Sequence, residues 1–215
     1  MKIAVINEGS TKHRNSDVMK ALDGMGHEVF NLGMKNIEGE PDLTYMETAL
    51  MTALVLNMKA VDFVVGGCGT GQGYMNAVLQ FPGVFCGLIM DPVEAFLYAR
   101  VNAGNCISLP LNKGYGGIGG DINIRYILEK LFEDYDKIYG TGYPAARAEI
   151  QINARKKLAR LSQDAHLPMI EILKAMDQEP VKRALTFPGM VDFLKTAPES
   201  GLKDYVLELA GRFGK

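Results

Sequence analysis

Five short apolar runs punctuate the first half of the chain: Lys2–Ile6, Glu28–Leu32, Val61–Val65, Val84–Ile89 and Cys106–Leu109. Runs that are apolar at nearly every position predict strands buried on both faces. Between them, apolar residues recur at helical spacing, predicting helices at about Ser16–Met25, Leu43–Met58, Gly73–Gln80 and Pro92–Ala103, with one more around Ile122–Tyr135. Strands alternating with helices imply a parallel sheet with helices on both sides. Right-handed crossovers then give a doubly wound, Rossmann-like three-layer α/β sandwich of about five parallel strands.

A turn-rich stretch, residues 139–145, follows this unit, and the strand pattern stops there. Short helical patterns broken by Pro168, Pro180, Pro188 and Pro198 run on to Lys215. Charge shifts too: residues 1–139 carry 11 Lys+Arg against 16 Asp+Glu, and residues 140–215 carry 12 against 9. The expected division is an α/β domain over 1–139 and a helical extension over 140–215. Residues 154–176 have the outline of a helix–turn–helix. A DNA reader needs a polar recognition helix, and the segment 169–176 is largely apolar, so it is expected to pack on the domain or on a partner.

At 47% hydrophobic residues the chain has enough apolar material for a core. A net charge of −2 supplies no global basic field to recruit nucleic acid or an anionic membrane. No apolar stretch approaches the roughly 18–20 residues that span a bilayer, and the opening Met-Lys-Ile-Ala-Val-Ile-Asn resembles a strand rather than a signal peptide. The expectation is a cytoplasmic protein. Three cysteines, at spacings of 18 and 20, suit neither a disulfide framework nor a metal cluster. His27 and His166 have no metal-ligand spacing around them. No metal and no cofactor are expected.

The chemistry gathers at Gly66-Gly-Cys-Gly-Thr-Gly-Gln-Gly73, directly after the third apolar run. Four of the six residues from Gly66 to Gly71 lack a side chain, so little there is expected to shield Cys68 or the amides after it. Such a turn lets N–H groups converge on a small anion ahead of a helix N-terminus, and that field favours the thiolate. Ligands in open parallel sheets gather at the carboxyl ends of strands. Those ends carry Asn7-Glu8-Gly9-Ser10, residues 66–73, Met90-Asp91-Pro92 and Pro110-Leu-Asn112. One crevice is therefore expected to collect Glu8, Cys68, Thr70 and Asp91.

Other readings of the loop exist. A dinucleotide fingerprint normally follows the first strand, and its third glycine comes one residue later than Gly73. A nucleoside-triphosphate loop ends in Gly-Lys-Ser/Thr, which is absent here. A plain strand-to-helix turn is a further reading, although it rarely needs glycine at 66, 67, 69, 71 and 73 together. A redox role for Cys68 lacks a nearby resolving cysteine.

Cys68-Gly-Thr-Gly-Gln-Gly73, with Phe81-Pro-Gly83, Asp91-Pro92, Ala95 and Asn102-Ala-Gly-Asn105, resembles the B-type ribose-5-phosphate isomerases and their galactose-6-phosphate isomerase relatives. Lys2-Ile-Ala-Val and Gly26-His-Glu-Val also fit the family's first two strands, and the resemblance covers roughly residues 1–135. It implies interconversion of aldose and ketose phosphates through an enediolate, with Cys68 as the base. The amides of 69–73 (Gly69, Thr70, Gly71, Gln72, Gly73) would stabilise the enediolate oxygen, with the Thr70 hydroxyl near it. Asn102 would bond the sugar, and Glu8 stands where the family has an Asp near the ring oxygen.

Three positions depart from the family pattern. Gly9 replaces a phosphate-binding His, Val101 replaces the ring-opening His, and Arg147 stands alone where two arginines bind phosphate, with Gln151 four residues on. His13 and Arg14 are candidate substitutes, as is the stripe Arg147, Gln151 and Arg155; a solvated loop and a wet helix face are the plainer readings. The resemblance also implies a homodimer or homotetramer with sites shared between subunits. The leading expectation is an aldose–ketose isomerase acting on a sugar phosphate, and the rival is a sugar- or anion-binding protein on the same scaffold without turnover.

Overall fold

The computed structural model describes residues 1–113, 119–133 and 147–214. Strand β1 (Lys2–Asn7) is buried at every position but the first. It pairs in parallel with β2 (Glu28–Asn31) on one side and β3 (Phe63–Cys68) on the other. Next to β3 lies β5 (Cys106–Pro110), and β4 (Cys86–Leu88) forms the far edge, giving the order β2-β1-β3-β5-β4 with every pairing parallel.

Alternation along these strands feeds two cores. Ile3, Val5, Phe63, Val65 and Ile107 point to a layer with α1 (Asn15–Leu22), α4 (Pro92–Leu97) and α5 (Gly120–Phe132). Ala4, Ile6, Val64, Cys68 and Cys106 point to a layer with α2 (Tyr45–Asn57) and α3 (Gln72–Val78).

Helix α2 begins at a capping box: the Thr44 N–H donates to Glu47 at 2.7 Å while the Thr44 side chain caps the first turn. All its residues from Glu47 to Val55 are buried. A helix covered all round needs a second layer outside it. Four C-terminal helices supply that layer: α7 (Met169–Ala175), α8 (Gln178–Thr186), α9 (Met190–Leu194) and α10 (Gly201–Phe213). Leu173, Val181, Leu185, Leu194 and Val206 enter the same core as α2. The apolar helix expected to pack on the domain does so, because Met169 and Leu173 are buried there. Helix α6 (Ala148–Ala165) differs: Ala148 and Ser162 are its buried residues, and Ile150, Leu158 and Leu161 are exposed.

Two elements depart from the sequence expectation. Strand β3 starts later and runs through Gly66 and Gly67, so the first half of the glycine segment is strand and not loop. The helix expected over 92–103 becomes a π-helix at Tyr98–Asn102, where the Ala103 N–H reaches back to the Tyr98 carbonyl at 2.7 Å. The turn-rich stretch 139–145, the end of the helix expected to reach residue 135, and the boundary at 139/140 lie outside the described residues. Among the described residues, no helix is long and apolar enough to cross a membrane.

Candidate active site

The winding of the sheet reverses between β1 and β3, and a crevice opens there beyond the carboxyl ends of the strands. Ile6 pairs with Gly66 and Asn7 with Gly67. Glu8 stays extended, at φ −99° and ψ 175°. Alternation therefore sets Glu8 opposite Cys68 on the same face of the sheet, on strands about 5 Å apart. On the other face, Asn15 bonds both Asn7 and Asn31, at 2.9 Å each, and so ties the start of α1 to the ends of β1 and β2. The turn carrying Glu8 leaves the sheet from this fixed point.

Cys68 is the last residue of β3 and 6% exposed. The bare thiol expected from a glycine loop is thus corrected: as a strand residue its side chain points into the layer of α2 and α3, which covers most of it. Its sulfur lies 4.0 Å from the Thr70 hydroxyl, and Thr70 and Gln72 are exposed at the rim.

Gly66 is small for a different reason than exposure of the thiol. A Cβ there would stand 2.2 Å from the Tyr74 hydroxyl and 2.3 Å from its ring. Tyr74 is fully buried, and its phenol is pushed well above its ordinary range, first by burial and then by Cys106. Gly71 caps α3 in the left-handed region, at φ 74°. Its N–H returns to the Cys68 carbonyl at 3.2 Å, so Gly71 turns the chain and its amide is not a free oxyanion donor. The Gln72 N–H is drawn toward the Thr70 hydroxyl at 3.4 Å. Among the described residues, the amides of Gly69, Thr70 and Gly73 have no protein partner, and the first two directly follow the sulfur-bearing residue in the chain.

Glu8 is buried at 6% exposure, with one carboxylate oxygen accepting the Ser10 N–H at 3.0 Å and the other the Ser10 hydroxyl. Asn112 then joins the two strand ends: its side chain donates to the Ser10 carbonyl and its N–H to the Gly69 carbonyl, both at 3.0 Å. Sequence reasoning placed Ser10 and Asn112 at strand ends without assigning them a role. Strand order supplies it, because β5 sits beside β3 and pairs Pro110 with Cys68.

The same strand order moves Asp91 away. It follows the edge strand β4, two strand spacings or about 10 Å from β3, and its carboxylate accepts the Glu94 N–H at 2.8 Å as the cap of α4. The expected crevice therefore holds Glu8, Cys68 and Thr70 without Asp91. Asn102 lies at the opposite end of the sheet. It precedes β5, near where the Asn105 N–H bonds the Phe85 carbonyl at 3.1 Å, so the length of β5, about 16 Å, separates it from Cys68 in one chain.

Arg147 opens α6, and that helix is fastened near Asn102 by Arg155, which donates to the carbonyls of Arg100 at 2.8 Å and Val101 at 3.0 Å. Arg155 thus closes the end of the π-helix, and the anion-binding stripe loses that member. His13 is exposed on the 3₁₀ turn Gly9–Arg14 beside Glu8, and Arg14 pairs with Asp17 at 3.7 Å. Among the described residues, no group of three or more His, Cys, Asp or Glu gathers for a metal.

Comparison with known proteins bears on the family and the fold. Residues 3–134 match the family model described as Ribose/Galactose Isomerase. No curated protein matches the chain. A crystal structure of 4-deoxy-L-threo-5-hexosulose-uronate ketol-isomerase, complexed with a tartrate, is similar at 39% identity and a TM-score of 0.88, covering 97% of this chain and 99% of that one. Ribose-5-phosphate isomerase from Vibrio parahaemolyticus is similar with the same identity, coverage and TM-score. The ribose 5-phosphate isomerase of Thermotoga maritima, at 23% identity, 73% of this chain, 97% of that chain and a TM-score of 0.56, shares the fold. A model match across the whole sheet, with relatives aligned over nearly the full length, shows that the chain belongs to the ribose/galactose isomerase family.

Proposed function

We propose that the chain is a ketol-isomerase that moves a proton between adjacent carbons of a small acidic sugar through an enediolate. The observation that carries this reading is the Cys68 sulfur at the end of β3, followed by the unpartnered amides of Gly69 and Thr70 and faced by Glu8. The substrate carbonyl oxygen accepts from those amides. The Cys68 thiolate removes the proton from the neighbouring carbon, the electron pair moves onto the carbonyl oxygen, and the proton returns to the former carbonyl carbon. Glu8, held by Ser10, carries the proton exchanged between the two substrate oxygens.

Both substrates named for the relatives are anionic. A 4-deoxy-5-hexosulose uronate has no hydroxyl on C4 or C5 to close a ring on its aldehyde, and it carries a carboxylate in place of phosphate. Val101 and Gly9, which replace the ring-opening and phosphate-binding histidines, favour that class over a sugar phosphate.

The distance between Asn102 and Cys68 within one chain supports a second part of the reading. A two-fold partner brings its Asn102 and Arg147 to the crevice of the first copy. Mixing Cys68→Ala with Asn102→Ala subunits should then restore about a quarter of the native rate, because half the dimers carry one intact site of two. No recovery would count against shared sites.

The main test is proton NMR in heavy water with a panel of pentose phosphates, hexose phosphates, the deoxy-hexosulose uronate and free sugars. The native protein should incorporate deuterium beside the carbonyl of one substrate, and Cys68→Ala should slow this by about 10²–10⁴-fold. Unchanged exchange in that variant removes Cys68 from the role. Binding without any exchange by the native protein selects the non-catalytic rival.

A further inference from the structure

Helices α7–α10 lie beyond the segment that matches the family model, and the mechanism above does not use them. One side chain nonetheless crosses from this layer to the rim of the crevice. Arg183, on α8, donates through Nη2 to the Asp42 carbonyl, and its Nε lies 3.5 Å from a carboxylate oxygen of Glu47. The Glu47 side chain is only 5% exposed. Its other oxygen accepts the Thr44 N–H at 2.7 Å and the Thr44 hydroxyl at 2.5 Å. Arg183 thus grips segment 42–47 at both ends.

Between those grips the segment touches both walls of the crevice. The Leu43 carbonyl accepts the N–H of Gly9, the residue after Glu8, at 2.8 Å. A Cβ on Gly9 would lie 3.2 Å from the Leu43 carbonyl oxygen and from the Asp42 carboxylate, so Asp42 and Leu43 fill the space beside Glu8. On the other wall, the Tyr45 ring lies over Gly73, 3.3 Å from where a Cβ would stand. Tyr45 is 43% exposed, which leaves part of its ring at the opening.

We propose that Arg183 is a positioning residue for the isomerase site: it holds segment 42–45 against the Glu8 turn and sets Tyr45 as a wall beside the glycine loop. A guanidinium suits this place because its planar fork serves a carbonyl and a carboxylate together, whereas an ammonium is a point charge. The C-terminal layer then has a second duty besides covering α2. Its last link to the chemistry is Glu8, whose orientation depends on the turn that Leu43 braces.

The proposal rests on the isomerase reading for its kinetic part and on geometry alone for its mechanical part, so two measurements separate them. In ¹⁵N-labelled full-length protein, Arg183→Ala should speed hydrogen exchange at Gly9 by about tenfold or more while amides of β5 keep their protection. With whichever substrate the heavy-water panel identifies, Arg183→Ala should raise KM through the loosened Tyr45 wall and lower kcat through the loosened Glu8 turn, with kcat/KM down by about tenfold or more, and Arg183→Lys should recover part of that loss. A purely structural role would lower the melting temperature and the active fraction and leave KM alone. Unchanged Gly9 exchange, or unchanged KM in Arg183→Ala, overturns the proposal. A native protein that turns over nothing on the panel, with Gly9 protection still lost in the variant, overturns the isomerase reading and the catalytic part of this one, while the clamp itself stands.

Discussion

Replacing Gly66 with alanine separates two explanations of the glycine segment. The added methyl would meet the Tyr74 hydroxyl at 2.2 Å, Cζ at 2.3 Å and Cε1 at 2.7 Å, against the 3.5–4.0 Å of an ordinary carbon contact. Tyr74 has nowhere to go. It is fully buried, its hydroxyl is 2.6 Å from that of Thr52 and 3.6 Å from the Cys106 sulfur, and β3 is held between β1 and β5. Overpacking costs about 1–3 kcal/mol, and losing the Tyr74–Thr52 bond adds about 1 kcal/mol. The total of about 2–4 kcal/mol corresponds to a melting temperature lower by about 5–15 °C for a chain of this length.

Urea and thermal unfolding of Gly66→Ala, Tyr74→Leu and the double variant measure this directly. Removing the ring frees the space, so the double variant should be more stable than the sum of the single losses implies, by about 1–3 kcal/mol. If Gly66→Ala folds with native stability and only loses activity, the glycine serves the site and the packing argument is wrong. That argument also fails if Gly66→Ala costs as much in the Tyr74→Leu background as in the native protein.

Three further outcomes follow from particular contacts. Asp91→Ala should cost about 1 kcal/mol of stability as a lost helix cap and leave kcat/KM unchanged; a large kinetic loss would return Asp91 to the crevice. His27 has its pKa lowered by burial and then by the Met1 amino group. Below the ordinary value of about 6.5 its unfolded form binds more protons than the folded one, so stability is full above that pH and declines as pH falls through this range. His27→Asn should flatten that part of a stability–pH curve, and an unchanged slope would count against it. Ending the chain at residue 165 strips the cover from α2, whose residues 47–55 are all buried, and should give an aggregating or unfolded product; a soluble, monodisperse fragment would refute the account of that layer.

Much of the architecture was legible because strands buried on both faces must be apolar throughout, and β1, β3 and β5 are buried along nearly their whole length. The amphipathic helix pattern in the C-terminal segment was legible too, but not its partner. Nothing local to Val181 or Leu185 says that they meet α2 of the same chain. Within the site, Cys68, Thr70 and Glu8 could be found from strand ends and glycine spacing. Ser10 and Asn112 could not, because their roles depend on which strand neighbours β3. Burial of the thiol is illegible in the sequence for a related reason: Gly66 and Gly67 read as loop, yet both pair within the sheet, and that makes Cys68 a strand residue whose side chain turns inward.

The linear order of residues determined the parallel α/β class, the crevice at the carboxyl ends and the thiol followed by closely spaced amides, since each depends on periodicity or near neighbours. Three-dimensional packing alone decided that β5 stands between β3 and β4, that Asn102 lies at the far end of β5 from Cys68, and that Arg183 reaches a segment 141 residues earlier. Those contacts lie far apart along the chain. Burial of shared apolar surface brings them together, and no short stretch of sequence records which surfaces will meet.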